Sequence, residues 1–169
     1  VPKPSLKASP ALSQMNHLGQ GIKGRKVALL VADGVDAGLL DKLVKALEAE
    51  SVQIKVLGPS SAPVKTSAGK ALAVDASMEG LPSVAFDAVW VAGGKGVLEA
   101  LKADGVAVHF VLEAYKHLKP LAGHGEAQGW FDSLGLKADS GLLGGNDAKV
   151  IKAFIKAIGK HRVLSLIHI

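Results

Sequence analysis

A three-layer α/β/α sandwich around a mainly parallel sheet is the fold class that this sequence predicts. Three observations carry the prediction. Short apolar runs such as Val27-Ala-Leu-Leu-Val-Ala32 and Asp87-Ala-Val-Trp-Val-Ala92 suit strands covered on both faces. Segments with apolar residues at helical spacing alternate with these runs. The joints between them are rich in Gly, Pro, Asp and Ser, which break one element and start the next.

The elements follow in chain order. Residues 1–24 hold Pro2, Pro4 and Pro10 among Ser, Gln, Asn and Gly without lasting periodicity, and read as a flexible linker. The domain is expected over 25–162, opening with the strand at Val27–Ala32. Asp33-Gly-Val-Asp36 makes a turn ending in a helix-capping acid, and Leu39, Leu40, Leu43, Val44 and Leu47 share one helix face. Val52–Leu57 is the second strand of a right-handed β-α-β unit. Residues 58–83 break the rhythm, and Val64–Thr66 with Ala71–Val74 suggest a small hairpin on the sheet's edge. The strand at 87–92 ends in Gly93-Gly-Lys-Gly96, followed by helices over 96–102 and 105–118, the second with Val106, Phe110, Leu112 and Tyr115 mostly inward. Lys119–Gln128 reads as strand, tight turn and helix start, with a short helix over 126–134. A last strand or loop occupies 136–143, and Asn146 is expected to cap a helix whose Val150, Ile151, Phe154, Ile155 and Ile158 form one face before Gly159 ends it. Residues 163–169 are an apolar tail.

Bulk composition narrows the function. At 169 residues with 49% hydrophobic and 21% charged side chains, the chain supports one well-buried domain. It begins at Val1 rather than Met and is expected to be part of something longer. The absence of cysteine excludes disulfides, thiolate metal sites and Cys nucleophiles, and a cytoplasmic setting is expected. The formal charge of +5 comes from Lys3, Lys7, Lys23, Arg25 and Lys26 ahead of Asp33; the other 15 basic residues match 15 acidic ones. With 4% aromatics, this is a poor footprint for nucleic acid, and no apolar stretch approaches the roughly 18 residues that span a bilayer. Neither nucleic acid nor membrane is expected as a partner.

In such a fold ligands bind at the carboxyl ends of the strands, where Asp33–Asp36, Gly93–Gly96 and Gly123–Glu126 should converge. Backbone amides of the last two segments would then form an oxyanion hole, with Asp36 and His124 as an acid/base pair and Gly93, Gly94, Gly125 and Glu126 as a ligand edge. The alternative, which is preferred, makes the glycines turn residues, Asp36 a cap and His124 a partly buried, hydrogen-bonded side chain. Gly93-Gly-Lys-Gly96 lacks the spacing of a phosphate loop, no histidine pair has zinc spacing, and Ser133 and Ser140 lie in no Gly-x-Ser-x-Gly elbow. No catalytic residue, cofactor or metal site is therefore assigned.

At Glu113-Ala-Tyr-Lys-His-Leu-Lys-Pro120, Gly24-Arg-Lys-Val-Ala-Leu-Leu-Val-Ala-Asp33 and Ser9-Pro-Ala-Leu-Ser13 the chain resembles the C-terminal domain of large-subunit (clade 2) haem catalases. That domain is a flavodoxin-like, class I glutamine-amidotransferase-like module related to the ThiJ/PfpI family. The resemblance covers essentially the whole chain, with 1–24 resembling the linker that follows the catalase core. It implies that the nucleophilic Cys of catalytic ThiJ/PfpI members falls on Gly123, their His on His124, the next Gly on Gly125 and their acid on Asp36. The frame is kept and the nucleophile lost, so the resemblance implies a vestigial elbow and an accessory domain that is no enzyme by itself. It further implies a parent that dismutes hydrogen peroxide with a haem in a separate core, in oxidative-stress defence. The domain's implied roles there are tetramer stability, channel access to the haem and a chaperone-like holdase function, its partners being the core, sister subunits and unfolded clients. The competing expectation is a residual ThiJ/PfpI-type small-molecule hydrolase or ligand site at Gly123.

Overall fold

The structure, a computed structural model, describes residues 21–136, 141–160 and 163. The expected linker (apart from 21–24), tail positions 164–169, Ser140, His17, His161 and His168 lie outside the described residues.

Six parallel strands form the main sheet: β1 (Lys26–Leu30), β2 (Gln53–Gly58), β5 (Ala76–Ser77), β6 (Ala88–Val91), β7 (Leu121–Gly123) and β8 (Leu142–Gly144). β3 (Val64–Lys65) and β4 (Ala71–Leu72) pair antiparallel as the expected hairpin. The spatial order is β5-β2-β1-β6-β7-β8, with Val27 in register with Ile54 on one side and Ala88 on the other. Every residue of β1 after Lys26 and every residue of β6 is buried, as their unbroken apolar sequences require of central strands.

The crossovers run outward in opposite directions from β1 and β6. Right-handed connections therefore place helices on opposite faces, with the topological switch point between those two strands. α1 (Ala37–Ala49) and α5 (Ala148–Gly159) touch each other, while α2 (Val97–Ala103), α3 (Gly105–Lys116) and α4 (Ala127–Ser133) form a second connected group. Leu40, Leu43 and Leu47 of α1 and Ile151, Phe154 and Ile158 of α5 are buried, the faces expected from their spacing. Trp90 of β6 meets Phe154 edge-on, with ring centroids 5.0 Å apart, tying sheet to helix layer.

Two expectations change. Beyond the hairpin, Ala76–Ser77 adds a parallel strand to β2, an element only two residues long and so without a periodic signal. In α3 the buried positions are Ala107, Phe110, Val111 and Ala114; Val106 turns outward at 41% exposure, and Leu112 and Tyr115 are half-buried. That helix is apolar nearly all round, so hydrophobicity could not set its rotation. Its two buried alanines give the sheet-facing stripe the shape that allows close approach.

Candidate functional site

Three strand-to-helix joints meet at the carboxyl edge of the sheet, beginning with those after β1 and β6 at the switch point. Asp36 donates its amide to the Gly93 carbonyl at 2.8 Å. Gly34 and Gly94 lie so close that a methyl group on Gly34 would overlap the Lys95 carbonyl oxygen, and one on Gly94 the Gly34 carbonyl oxygen. Gly94 also holds φ at +147°, a conformation L side chains rarely adopt. The crevice in which α/β sheets ordinarily seat ligands is closed here by backbone.

Asp36 is the N-cap of α1: its Oδ1 accepts from the Gly38 amide at 2.9 Å and the Leu39 amide at 3.0 Å. Among the hydrogen bonds of the described residues none joins Asp36 to His124, and the two side chains take the places of the preferred reading, a helix cap and a hydrogen-bonded histidine. Replacing Asp36 with Ala should cost about 1 kcal/mol, the usual worth of such a cap. Chemical denaturation would show this as a shifted midpoint with unchanged slope.

β7 ends at Gly123, a buried strand residue whose carbonyl accepts from the Gly145 amide at 3.0 Å. A Cβ built there would overlap the Ala127 methyl and stand 3.1 Å from both Cβ and the carbonyl oxygen of Val91. The position lacks a nucleophile and also lacks room for one. The left-handed residue of the turn is Gly125 (φ +60°), two residues further on.

His124 is 4% exposed. Its Nδ1 accepts from Trp90 Nε1 at 3.0 Å and from the Gly93 amide at 3.3 Å, and the indole and imidazole rings meet edge-on with centroids 4.9 Å apart. Two donors aimed at Nδ1 assign the proton to Nε2. Burial lowers the pKa of the ring from 6.5 to about 4, the nearby charge of Asp36 opposing but not offsetting it. His124 is thus neutral at pH 7 and a weak base.

Three of the amides that an oxyanion hole at this edge would use have acceptors within the domain. The Gly93 amide points at His124, the His124 amide at the Val91 carbonyl (3.0 Å), and the Gly125 amide at Asn146 Oδ1 (2.8 Å). Asn146 therefore does not cap α5 as expected: Asp147 holds the N-cap position, and the Asn146 side chain bridges to the elbow. What remains open is a cleft of about 280 Å³ lined by Gly93, Gly94, His124, Gly125 and Glu126 together with Gly96 and Glu99. Asp36 and Gly123 do not line it. The sequence named five of the residues that line this cleft but not the parts played by Trp90 and Asn146; Trp90 sits in a strand run that packing alone explains, and an Asn just before a helix ordinarily reads as its cap. Among the described residues no cluster of His, Asp or Glu is disposed to hold a metal ion. The arrangement can hold a small ligand by hydrogen bonds, and it has no nucleophile for covalent chemistry.

Comparison with known proteins bears on the fold and the family. Solved structures of Drosophila melanogaster DJ-1beta (15% identity, TM-score 0.68, covering 85% of this chain and 95% of that one) and of a DJ-1 superfamily protein from Salmonella typhimurium (18%, TM-score 0.69, 80% and 88%) share the fold. Catalase HPII of Pseudomonas putida is 57% identical over 159 residues, 94% of this chain and 22% of its own length. Catalase HPII of Pseudomonas aeruginosa is 45% identical over 163 residues (96% and 23%), and Catalase-B of Dictyostelium discoideum 35% over 167 (96% and 24%). The chain thus spans under a quarter of the length of these relatives. The family model for the C-terminal domain found in long catalases matches residues 23–167, and the chain belongs to that family.

Proposed function

We propose that this chain is a non-catalytic accessory domain of a large-subunit catalase, which stabilises the parent assembly and shields unfolded clients as a holdase. The observation that supports this most is the closed elbow: residue 123 has no space for a side chain, and the amides of Gly93, His124 and Gly125 already have acceptors. A domain kept in long catalases with its ancestral site shut is retained for its body and surface. In this reading peroxide dismutation and the haem belong to the core of the parent, and the partners are that core and the sister subunits. The setting is cytoplasmic; among the described residues no helix is long and apolar enough to cross a membrane.

The test compares the parent with and without the domain. Removing it should shorten the half-life of peroxide-decomposing activity on heating and loosen the oligomer; unchanged half-life and assembly would overturn the stabilising role. A heat-aggregating client mixed with the isolated chain at stoichiometric amounts should stay in solution, and aggregation at the control rate would remove the holdase clause. The surviving cleft beside His124 favours a second reading, a residual small-molecule hydrolase or ligand site. Turnover of activated esters or reactive carbonyls by the isolated chain, abolished by His124→Ala, would establish it in place of the first.

A further inference from the structure

Resting on the second reading above, in which the cleft beside His124 is a ligand site, we propose that this cleft binds a small amine that also carries a hydroxyl or carbonyl oxygen. His124 Nε2 donates to that oxygen, and the Glu126 carboxylate holds the ammonium.

His124 supplies the fixed point. The ring is 4% exposed and lines the cleft. Its Nδ1 takes the Trp90 indole and the Gly93 amide, and the proton on Nε2 has no acceptor among the described residues. No fully buried polar side-chain atom among those residues lacks a partner, so Nε2 stands where a molecule entering from outside reaches it. A donor nearly buried in the wall of a hollow, and held in one orientation through the other ring nitrogen, is a preorganised attachment point for an acceptor.

The rest of the lining decides the charge of the ligand. It consists of Ala92, Leu98, four glycines and the carboxylates of Glu99 and Glu126, with no lysine or arginine; Lys95, between two of those glycines, is not part of it. Glu99 pairs with Lys102 at 3.3 Å. Glu126 is exposed and enters no ion pair among the described residues, which makes it the anionic contact. The imidazole is uncharged at pH 7, so no charge in the lining matches a carboxylate or phosphate. An ammonium gains a charge-assisted hydrogen bond there.

The shape sets the size. An added Cβ at Gly96 or Gly125 would meet no atom within 4 Å, so these walls are bare of side chain and unpacked on that side. The hollow of about 280 Å³ falls below the roughly 300 Å³ at which sites for drug-sized ligands begin. It suits a molecule of a few non-hydrogen atoms with one polar group at each end.

Four probes of nearly equal size separate these contributions: ethanolamine, propylamine, ethylene glycol and glycolate. Each is titrated into the 169-residue chain while the indole N–H resonances are followed by NMR. An acceptor on Nε2–H makes Nδ1 the better acceptor in turn. Ethanolamine should therefore move the Trp90 indole proton downfield and leave that of Trp130, which does not line the cleft, in place. Its dissociation constant should be about millimolar, since so few atoms supply little binding energy. It should lie about fivefold below those of ethylene glycol, which lacks the charge, and of propylamine, which lacks the oxygen, with glycolate weakest. Glu126→Gln should weaken ethanolamine to the level of ethylene glycol and leave the unliganded Trp90 resonance unmoved. Tighter binding of glycolate than of ethanolamine would overturn the amine class and leave the ligand-site reading standing. Equal binding of propylamine would overturn His124 as the donor, and an unchanged constant in Glu126→Gln would overturn Glu126 as the partner of the ammonium. A Trp90 resonance that no probe moves would overturn the whole proposal, and the absence of ester and carbonyl turnover as well would take the ligand-site reading with it.

Discussion

Gly123→Cys is expected to destabilise the domain by about 3 kcal/mol, the upper part of the range for overpacking a dense interior. The new Cβ would overlap the Ala127 methyl and press on Val91. Both neighbours are fully buried, and one belongs to the central strand β6. Urea denaturation reads the loss as a lower midpoint. Because the chain has no cysteine, the introduced thiol is the only one, and alkylation reports its accessibility directly. Labelling should proceed at the unfolding rate and not at that of a free thiol. Fast labelling at undiminished stability would show that the elbow has room for a nucleophile after all. Gly123→Ala together with Ala127→Gly should recover part of the loss, since the second change removes the atom nearest the first.

Acid should weaken the domain through His124 by up to about 3 kcal/mol, from a pKa shift of 6.5 to about 4. The folded value lies below the unfolded one, so under pH 6.5 the unfolded chain takes a proton that the buried ring refuses. The contribution is therefore complete above about pH 6.5, declines as pH falls towards 4, and is gone below it. Carboxylates titrate in part of that window, so the informative quantity is the difference between the native protein and His124→Gln. That variant should be less stable at pH 7, where the Trp90 indole and the Gly93 amide lose their imidazole acceptor. Its stability should also fall less between pH 6.5 and 4. Parallel stability curves across this window would mean that His124 takes up its proton in the folded state as readily as in the unfolded one.

The framework was legible because it is written in patterns that one chain carries by itself. β1 and β6 are unbroken apolar runs, and α1 and α5 repeat their buried faces at helical spacing. The carboxyl-edge rule then brought Gly93, Gly94, His124, Gly125 and Glu126 to one cleft. What stayed hidden depends on pairs of distant residues. The lack of space at Gly123 depends on Val91 of the neighbouring strand as well as on Ala127, and the loss of the Gly125 amide on Asn146, 21 positions away. The rotation of α3 was hidden for a different reason: with apolar residues on all sides, it buries the positions that fit, and Val106 is left outside.

The contact between the joints after β1 and β6 also governs how this domain can move. In a doubly wound sheet the connections on the two sides of the switch point diverge and leave a crevice above the strands. Here the Asp36 amide and the interlocked Gly34 and Gly94 fasten β5-β2-β1 to β6-β7-β8 across that line. Opening the sheet at this line would have to break that hydrogen bond and unpack the two glycines, so the join resists a hinge between the halves.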